Sequence, residues 1–219
     1  MYRQLAALVA AFTVAASFAV VTPSTVHAAE PTTLAPCRNS DLDDVSFRIP
    51  KNRHKSRPHG VRKLKIASHF SRELHFQVRF GQDVRYTTSD PQNQADWGKL
   101  LGFTTNRIHK NSIRLGWSWD PVAERVRLGY YGYLDSQRTM PLLASVALGE
   151  WADVTMKFDD GGMSLSVNGI EHSVRGNTGV SGWVTTWLLR TAYFGGDEKA
   201  PHTMHIDVRG IVVDGGCER

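Results

Sequence analysis

Residues able to handle an acidic sugar occur at alternate positions along three segments of the chain. Arginine, glutamine and histidine can neutralise a carboxylate, whereas tyrosine and histidine can donate or accept a proton during a reaction. If the three segments are neighbouring strands, their polar sides form one basic and aromatic surface. The predicted substrate-binding residues are His75, Gln77, Arg79, Arg114, Arg127 and Tyr133, and the predicted catalytic residues are His109 and Tyr131.

Two kinds of chemistry fit such a surface. A polysaccharide lyase neutralises the carboxylate of a uronate, removes the proton beside it and protonates the leaving oxygen, often with tyrosine. A binding protein needs only aromatic rings for sugar faces and polar groups for hydroxyls or acids. A glycosidase that needs two flanking carboxylates is disfavoured, because the acidic residues are scattered, as at Asp96 and Glu150. Carbohydrate binding is the preferred hypothesis and a lyase is the alternative.

The elements that must position these residues are β-strands. Apolar residues alternate with polar ones over residues 74–80, 112–118, 125–131 and 204–209, and turn residues separate the segments. Residues 154–167 are typical of a hairpin, and Asn168 with Gly169 predicts a second, tight turn. Only residues 95–101 have helical spacing. The pattern predicts an all-β fold, an antiparallel β-sandwich.

Tryptophan is abundant enough to supply both a core and a sugar surface. Trp117 and Trp151 fall on apolar faces, so we expect both in the core. Trp97, Trp119 and Trp183 lie near turns or on polar faces and are candidates for stacking on a sugar ring.

Residues 159–169 (DDGGMSLSVNG) resemble a hairpin of the concanavalin A-like lectin and glucanase jelly rolls. Residues 109–117 (HKNSIRLGW), 193–196 (YFGG) and 200–202 (APH) are similar to segments of poorly characterised exported bacterial proteins with that fold. The resemblance covers most of residues 60–213 and implies a jelly roll. It implies fold more firmly than function, since lectins, glycosidases, lyases and adhesive modules share this architecture.

Within that superfamily the enzymes carry recognisable strands. The Glu-x-Asp-x-x-Glu strand of the glucanases does not occur here. The alginate lyases carry Arg-x-Glu-x-Arg, which resembles residues 71–75 (SRELH) without its first and last arginine. Their Gln-Ile-His resembles residues 107–109 (RIH), and their Tyr-Phe-Lys-x-Gly-x-Tyr resembles residues 193–196 without the second tyrosine. Each match is partial.

The N-terminus has the pattern of an export signal. Arg3 precedes an apolar run over residues 5–21, and a polar stretch ends in small residues at Ala28 and Ala29. Residues 1–29 are therefore predicted to be a signal peptide, and residues 30–219 a single secreted β-sandwich domain with no transmembrane segment. Residues 30–43 form a connector that carries Cys37, which is predicted to form a disulfide with Cys217, since disulfides persist outside the cytoplasm.

The charge balance is mildly basic. The formal net charge is +5 with histidine neutral, which suits an acidic glycan as partner. Much of the basic excess lies in residues 51–62, where no aromatic residue is interleaved, so nucleic acid is not expected. A third hypothesis is a non-catalytic cell-envelope interaction module that uses this segment.

No cofactor is required by either glycan hypothesis, and no zinc motif is present in the sequence. Asp41, Asp43, Asp44 and Asp214 could meet near joined termini and bind a structural Ca²⁺ ion. Solvated turn residues explain these acids equally well.

Overall fold

Strands make up most of the fold. The computed structural model describes residues 37–38, 45–57, 64–66, 72–105, 107–180 and 186–214; for 37–38, 64–66 and 214 it describes the strand position only. Within these residues the strands are β1 (Cys37–Arg38), β2 (Val45–Ile49), β3 (Leu64–Ile66), β4 (Glu73–Phe80), β5 (Gly98–Thr104), β6 (Ser112–Asp120), β7 (Arg125–Leu134), β8 (Gln137–Thr139), β9 (Leu142–Val146), β10 (Trp151–Phe158), β11 (Gly162–Val167), β12 (Ile170–Arg175), β13 (Thr186–Leu189) and β14 (Met204–Asp214).

The strands pair into two antiparallel sheets. The first has the order β1-β14-β4-β10-β11-β12, with β2 also paired to β14, and the second has the order β3-β13-β5-β6-β7-β8, with β9 also paired to β7. The predicted all-β antiparallel sandwich is confirmed. The last strand, β14, lies inside the first sheet, where it pairs with β1, β2 and β4.

The core lies between the apolar faces of the two sheets. Every second side chain of β4, from Leu74 to Phe80, is buried. The ring of Phe80 lies 5.7 Å from that of Trp117 on β6, and the ring of Phe103 on β5 lies 6.2 Å from that of Phe158 on β10. These contacts between sheets explain why the alternation is strict, since a shift of one residue would expose the core face.

The turns predicted from the sequence are also present. β10 and β11 form the hairpin, in which the amide of Asp159 donates to the carbonyl of Gly162 over 3.1 Å. Asn168 and Gly169 both have positive φ, 50° and 83°, and join β11 to β12. The helical spacing at residues 95–101 is misleading, because a short 3-10 helix, Pro91–Ala95, ends before β5 begins at Gly98.

The second sheet is covered on its outer face as well as in the core. All residues of β6 except Asp120 are buried. Trp97 lies across two glycines of this face, because a Cβ on Gly116 would be 2.9 Å from its ring and one on Gly129 would be 2.8 Å from it. Trp119 is buried in the core at 3% exposure, so its predicted stacking role is wrong. Trp183 lies outside the described residues.

Several predictions for the two ends of the chain also fall outside the described residues. These are the signal peptide at residues 1–29, the acids Asp41, Asp43 and Asp44, and Cys217; the side chain of Asp214 is likewise not described. Cys37 lies in β1 opposite Val213 of β14, which brings the two ends of residues 37–214 side by side. The disulfide between Cys37 and Cys217 stays a prediction.

The described residues all belong to one compact unit, Leu34–Arg219. None of their helices is long and apolar enough to cross a bilayer.

Gly195 provides a test of the packing that links Trp97 to the core. A Cβ on Gly195 would overlap the backbone of Trp97 and Gly98, which cannot move without shifting β5. We expect Gly195→Ala to lower the free energy of unfolding by about 1–3 kcal/mol, the usual cost of overpacking. Gly161→Ala is the control, since its Cβ would meet nothing nearer than Asp159 at 3.5 Å. Equal unfolding midpoints for the two variants in urea would contradict this account.

Candidate functional site

The structure divides the predicted glycan surface between the two sheets. His75, Gln77 and Arg79 lie on β4 of the first sheet, whereas Arg114 lies on β6 of the second sheet. Arg127, Tyr131 and Tyr133 lie on β7, beside β6. The expectation that all of these share one surface is therefore wrong. Alternation along a strand fixes which side chains face the core, but it does not fix which sheet the strand joins.

The polar face of β4 is occupied by pairs with its neighbouring strands. Gln77 donates to Asp153 on β10 over 2.6 Å, and Arg79 forms an ion pair with Asp207 on β14 at 2.9 Å. His75 lies 2.6 Å from Glu73 and 3.0 Å from the hydroxyl of Thr155. These cross-strand pairs stabilise the first sheet and leave the three residues far from Arg114.

Trp151 belongs to the same polar face, so its predicted place in the core is wrong. Its ring lies between two guanidinium groups, 4.6 Å from that of Arg79 and 3.9 Å from that of Arg209. The residue begins β10, where the alternation puts it on the side of Asp153 rather than of Val154.

A cleft of about 450 Å³ opens on the outer face of the second sheet. Its walls carry cationic and aromatic side chains, and small or apolar residues complete them. The charged and aromatic lining residues are Lys55, Lys99, His109, Arg114, Tyr131, Tyr133 and Tyr193.

Arg114 forms the floor of this cleft. It lies opposite Tyr131 in the β6–β7 register and is only 7% exposed. Its nearest hydrogen-bond acceptors are two backbone carbonyls at long distances, that of Leu100 at 3.4 Å and that of Thr191 at 3.5 Å. Burial lowers its pKa to about 10, and the neighbouring tyrosines Tyr131 and Tyr193 act in the opposite direction.

Lys99 is a site residue that the sequence did not single out. Its ammonium lies between two tyrosine rings, 4.8 Å from the centre of Tyr131 and 5.0 Å from that of Tyr193. Burial, followed by repulsion from Arg114 and Arg138, lowers its pKa to about 8, while Asp96 acts in the opposite direction. The sequence offered little signal for it, because β5 is buried at every position except Lys99 and a bulge after Leu100 breaks its alternation.

The tyrosines of β7 supply hydroxyl groups at the edge of the cleft. Burial and the neighbouring Tyr133 raise the pKa of Tyr131 to about 12, although Arg138 on β8 opposes this shift. Tyr131 therefore keeps its proton at any physiological pH and can donate it in a hydrogen bond. The rings of Tyr131 and Tyr133 are 6.0 Å apart.

His109 lies at the rim of the cleft on the turn between β5 and β6. It is exposed, and its ring meets the ring of Tyr133 edge-on at 5.2 Å. Across the cleft Tyr193 stacks on His54 at 5.1 Å, and Lys55 pairs with Tyr193 through the backbone. The predicted catalytic residues His109 and Tyr131 thus lie in one cleft with Arg114 and Tyr133.

Arg127 shares the outer face of β7 but does not line the cleft. Its guanidinium lies 5.8 Å from the ring of Trp97, and its Nε donates to the hydroxyl of Ser118 over 3.0 Å. Gly129 separates it from Tyr131 along the strand. Arg127 and Trp97 therefore flank the cleft.

The cleft has the charge pattern of an anion site. None of its described lining residues is acidic, and none of the ion pairs between described residues involves Lys99 or Arg114. Desolvated cations without a counter-ion are unfavourable, and a bound carboxylate would offset that cost. The described residues contain no group of three or more potential metal ligands.

Solved structures similar to this fold include alginate lyases. The enzyme from Pseudomonas aeruginosa has a TM-score of 0.51 at 10% identity, over 69% of this chain and 67% of that one. The enzyme from Klebsiella pneumoniae has a TM-score of 0.51 at 13% identity, over 68% of this chain and 61% of that one. An alginate lyase of polysaccharide lyase family 7 has a TM-score of 0.52 at 7% identity, over 82% of each chain.

At these identities the likeness shows the fold alone, a concanavalin A-like jelly roll, as the hairpin resemblance implied. No family model matches the chain, and no curated protein matches it.

The titration of Lys99 tests the electrostatics of the cleft. We expect its side chain to lose its proton near pH 8 rather than near 10.5, as followed by the ¹³Cε chemical shift of labelled lysine. Asp96→Asn removes a charge that favours the ammonium, so the midpoint should fall further. Asp153→Asn, on the opposite sheet, is the control and should leave it unchanged. A Lys99 midpoint at the ordinary value would contradict the burial argument.

Proposed function

We propose that this chain is an exported protein that binds an acidic polysaccharide in the cleft of the second sheet. Arg114 and Lys99 bind carboxylates of the sugar chain, and the rings of Tyr131, Tyr133 and Tyr193 contact its sugar faces. The observation that carries the proposal is that one cleft brings together aromatic rings, the buried Arg114 and the half-buried Lys99, neither of which forms an ion pair with another described residue. Secretion follows from the signal predicted at residues 1–29.

The electrostatics favour an anionic ligand over a neutral one. Burial lowers the pKa of both Lys99 and Arg114, which means that the folded protein disfavours their charged forms. A carboxylate bound beside them restores a favourable interaction, and hydrogen bonds to charged groups contribute about 1.5–3 kcal/mol each. A neutral glycan has no carboxylate and therefore gains no such stabilisation.

The shape and lining of the cleft favour a sugar. A volume of about 450 Å³ lies within the usual range of small-ligand sites, roughly 300–1,000 Å³. Tyrosine offers an apolar ring for a sugar face and a hydroxyl for a sugar hydroxyl. The similar structures are named as alginate lyases, and alginate is an acidic polysaccharide built of uronates.

A polysaccharide lyase is the second candidate. Tyr131, His109 and Tyr133 lie in the same cleft as Arg114, so groups for proton transfer lie beside a group that can neutralise a uronate. The raised pKa of Tyr131 keeps its hydroxyl protonated, as a proton donor to the leaving oxygen must be. Binding remains the leading proposal because it needs only the charges and rings that the cleft presents.

The cell-envelope interaction module has less support from the basic segment. Of residues 51–62, the structure describes residues 51–57, and Lys55 among them lines the cleft. Its charge therefore adds to the glycan site. Failure of every acidic and neutral glycan to bind would favour the interaction module instead.

A binding measurement tests the proposal. Arg114→Gln and Lys99→Gln should each weaken binding of alginate, glucuronan or pectate oligosaccharides by at least about tenfold in calorimetry, the effect of one charged hydrogen bond. Arg79→Gln, on the first sheet, is the matched control and should bind as tightly as the unmodified protein. Circular dichroism melting verifies that each variant is folded. Equal losses in all three variants would contradict the assignment of the site.

Product formation separates the lyase from the pure binder. Incubation with the same glycans gives an unsaturated product with a new ultraviolet absorbance only if a lyase is present. If it is, Tyr131→Phe should lower the turnover rate by about 100-fold or more, since it removes the proton donor. Tyr193→Phe is the control for a lost cleft hydroxyl and should retain most of the rate. No product with any glycan that binds would leave binding as the function.

A further inference from the structure

We infer that Lys99 is the catalytic base of this cleft, taking the proton from the carbon beside a bound uronate carboxylate. The inference rests on the proposed binding of an acidic glycan in the same cleft and deepens the second candidate function, the polysaccharide lyase. It assigns the proton acceptor to a residue of β5 that none of the recognisable lyase segments contains.

The position of the amine supports this role. Lys99 lines the cleft, and its Nζ lies between the rings of Tyr131 and Tyr193 at 4.8 and 5.0 Å. No ion pair between described residues holds its proton. A ligand in the cleft would therefore lie against the same tyrosine rings that contact the amine.

The position of Arg114 beside Lys99 indicates which atom of a bound uronate would lie next to the amine. The acidic hydrogen of a uronate is on the carbon that bears the carboxylate, so the base must lie next to the group that binds the carboxylate. Arg114 on the adjacent strand β6 is that group, and it is close enough to lower the pKa of Lys99. Arginine stays protonated and cannot itself act as the base.

Burial and the surrounding charges lower the pKa of Lys99, so a fraction of the molecules have a neutral amine at neutral pH. The charged groups that act on the pKa of Lys99 are Arg114, Arg138 and Asp96. The rings of Tyr131 and Tyr193 enclose its ammonium, and Lys55 and His109 also line the cleft. Burial outweighs Asp96, and a pKa of about 8 leaves about one lysine in ten neutral at pH 7. An ordinary surface lysine would have far fewer.

The reaction balances without an added reagent. Lys99 Nζ forms a bond to the proton of the carbon beside the carboxylate, and the electrons of that C–H bond form a double bond to the next carbon. The bond from that carbon to the glycosidic oxygen breaks, and the oxygen takes the hydroxyl proton of Tyr131. The ammonium of Lys99 returns its proton to the Tyr131 oxygen. The products are a shorter chain and an unsaturated uronate.

His109 is the alternative base, and its position is less suitable. It lies exposed at the rim, with its ring against Tyr133. Lys99, by contrast, lies close enough to Arg114 for that cation to lower its pKa. We therefore place the proton transfer at Lys99.

The test separates the charge of Lys99 from its ability to accept a proton. Lys99→Arg keeps a permanent cation, so we expect binding of alginate or glucuronan oligosaccharides within about threefold of the unmodified protein. Its turnover number should fall by about 100-fold or more, because the base is lost. Lys157→Arg, which is paired with Glu73 on the first sheet at 3.4 Å, is the matched control and should keep its rate.

The pH profile of the unmodified protein gives a second measurement that needs no variant. The turnover number should rise with pH as the amine of Lys99 loses its proton, while affinity should fall over the same range because the site loses a positive charge. The rise should be absent from the residual activity of Lys99→Arg.

Each result has a defined meaning. An active Lys99→Arg, or a rate abolished by His109→Ala but not by Lys99→Arg, would overturn the assignment to Lys99. Binding without product on any of the glycans would overturn catalysis and leave the glycan-binding proposal intact. Absence of binding as well would overturn both.

Discussion

The burial of strand β6 on both faces is the constraint on which the site depends. One face packs Ile113, Leu115 and Trp117 into the core, and the other carries Arg114 beneath the side chains that cover the second sheet. A charged residue on such a strand loses most of its water, and the sheet offers it only carbonyls at 3.4 and 3.5 Å. The described residues therefore compensate this cation poorly, which is the basis of the proposed anion binding.

Burial in the cleft shifts the pKa values of an amine and a phenol in opposite directions. Burial disfavours the charge on Lys99, and it also disfavours the phenolate of Tyr131. A base that gives up its proton easily thus lies beside an acid that holds its proton firmly. Pairs of titratable groups whose pKa values are moved in such ways are characteristic of functional sites, whereas the paired residues of β4 on the opposite sheet form mutual salt bridges and hydrogen bonds.

The sequence predicted the fold and the cleft residues on and beside β6 and β7, but it did not predict Lys99. Strict alternation and the Asn168–Gly169 turn indicate strands and hairpins because these are local properties. Which sheet a strand joins depends on partners far away in sequence, so β4 could not be separated from β6 and β7. Lys99 was missed because residues just before it form a 3-10 turn and because β5 has a bulge between Leu100 and Gly102 that breaks its alternation.

The position of β14 has a consequence for how the chain reaches this state. The most C-terminal of the described strands lies in the interior of the first sheet, between β4 and the N-terminal strands β1 and β2. β1 and β2 reach the rest of this sheet through β14, and such long-range pairing is slow. A truncation before β14 would therefore remove the strand that connects β1 and β2 to β4.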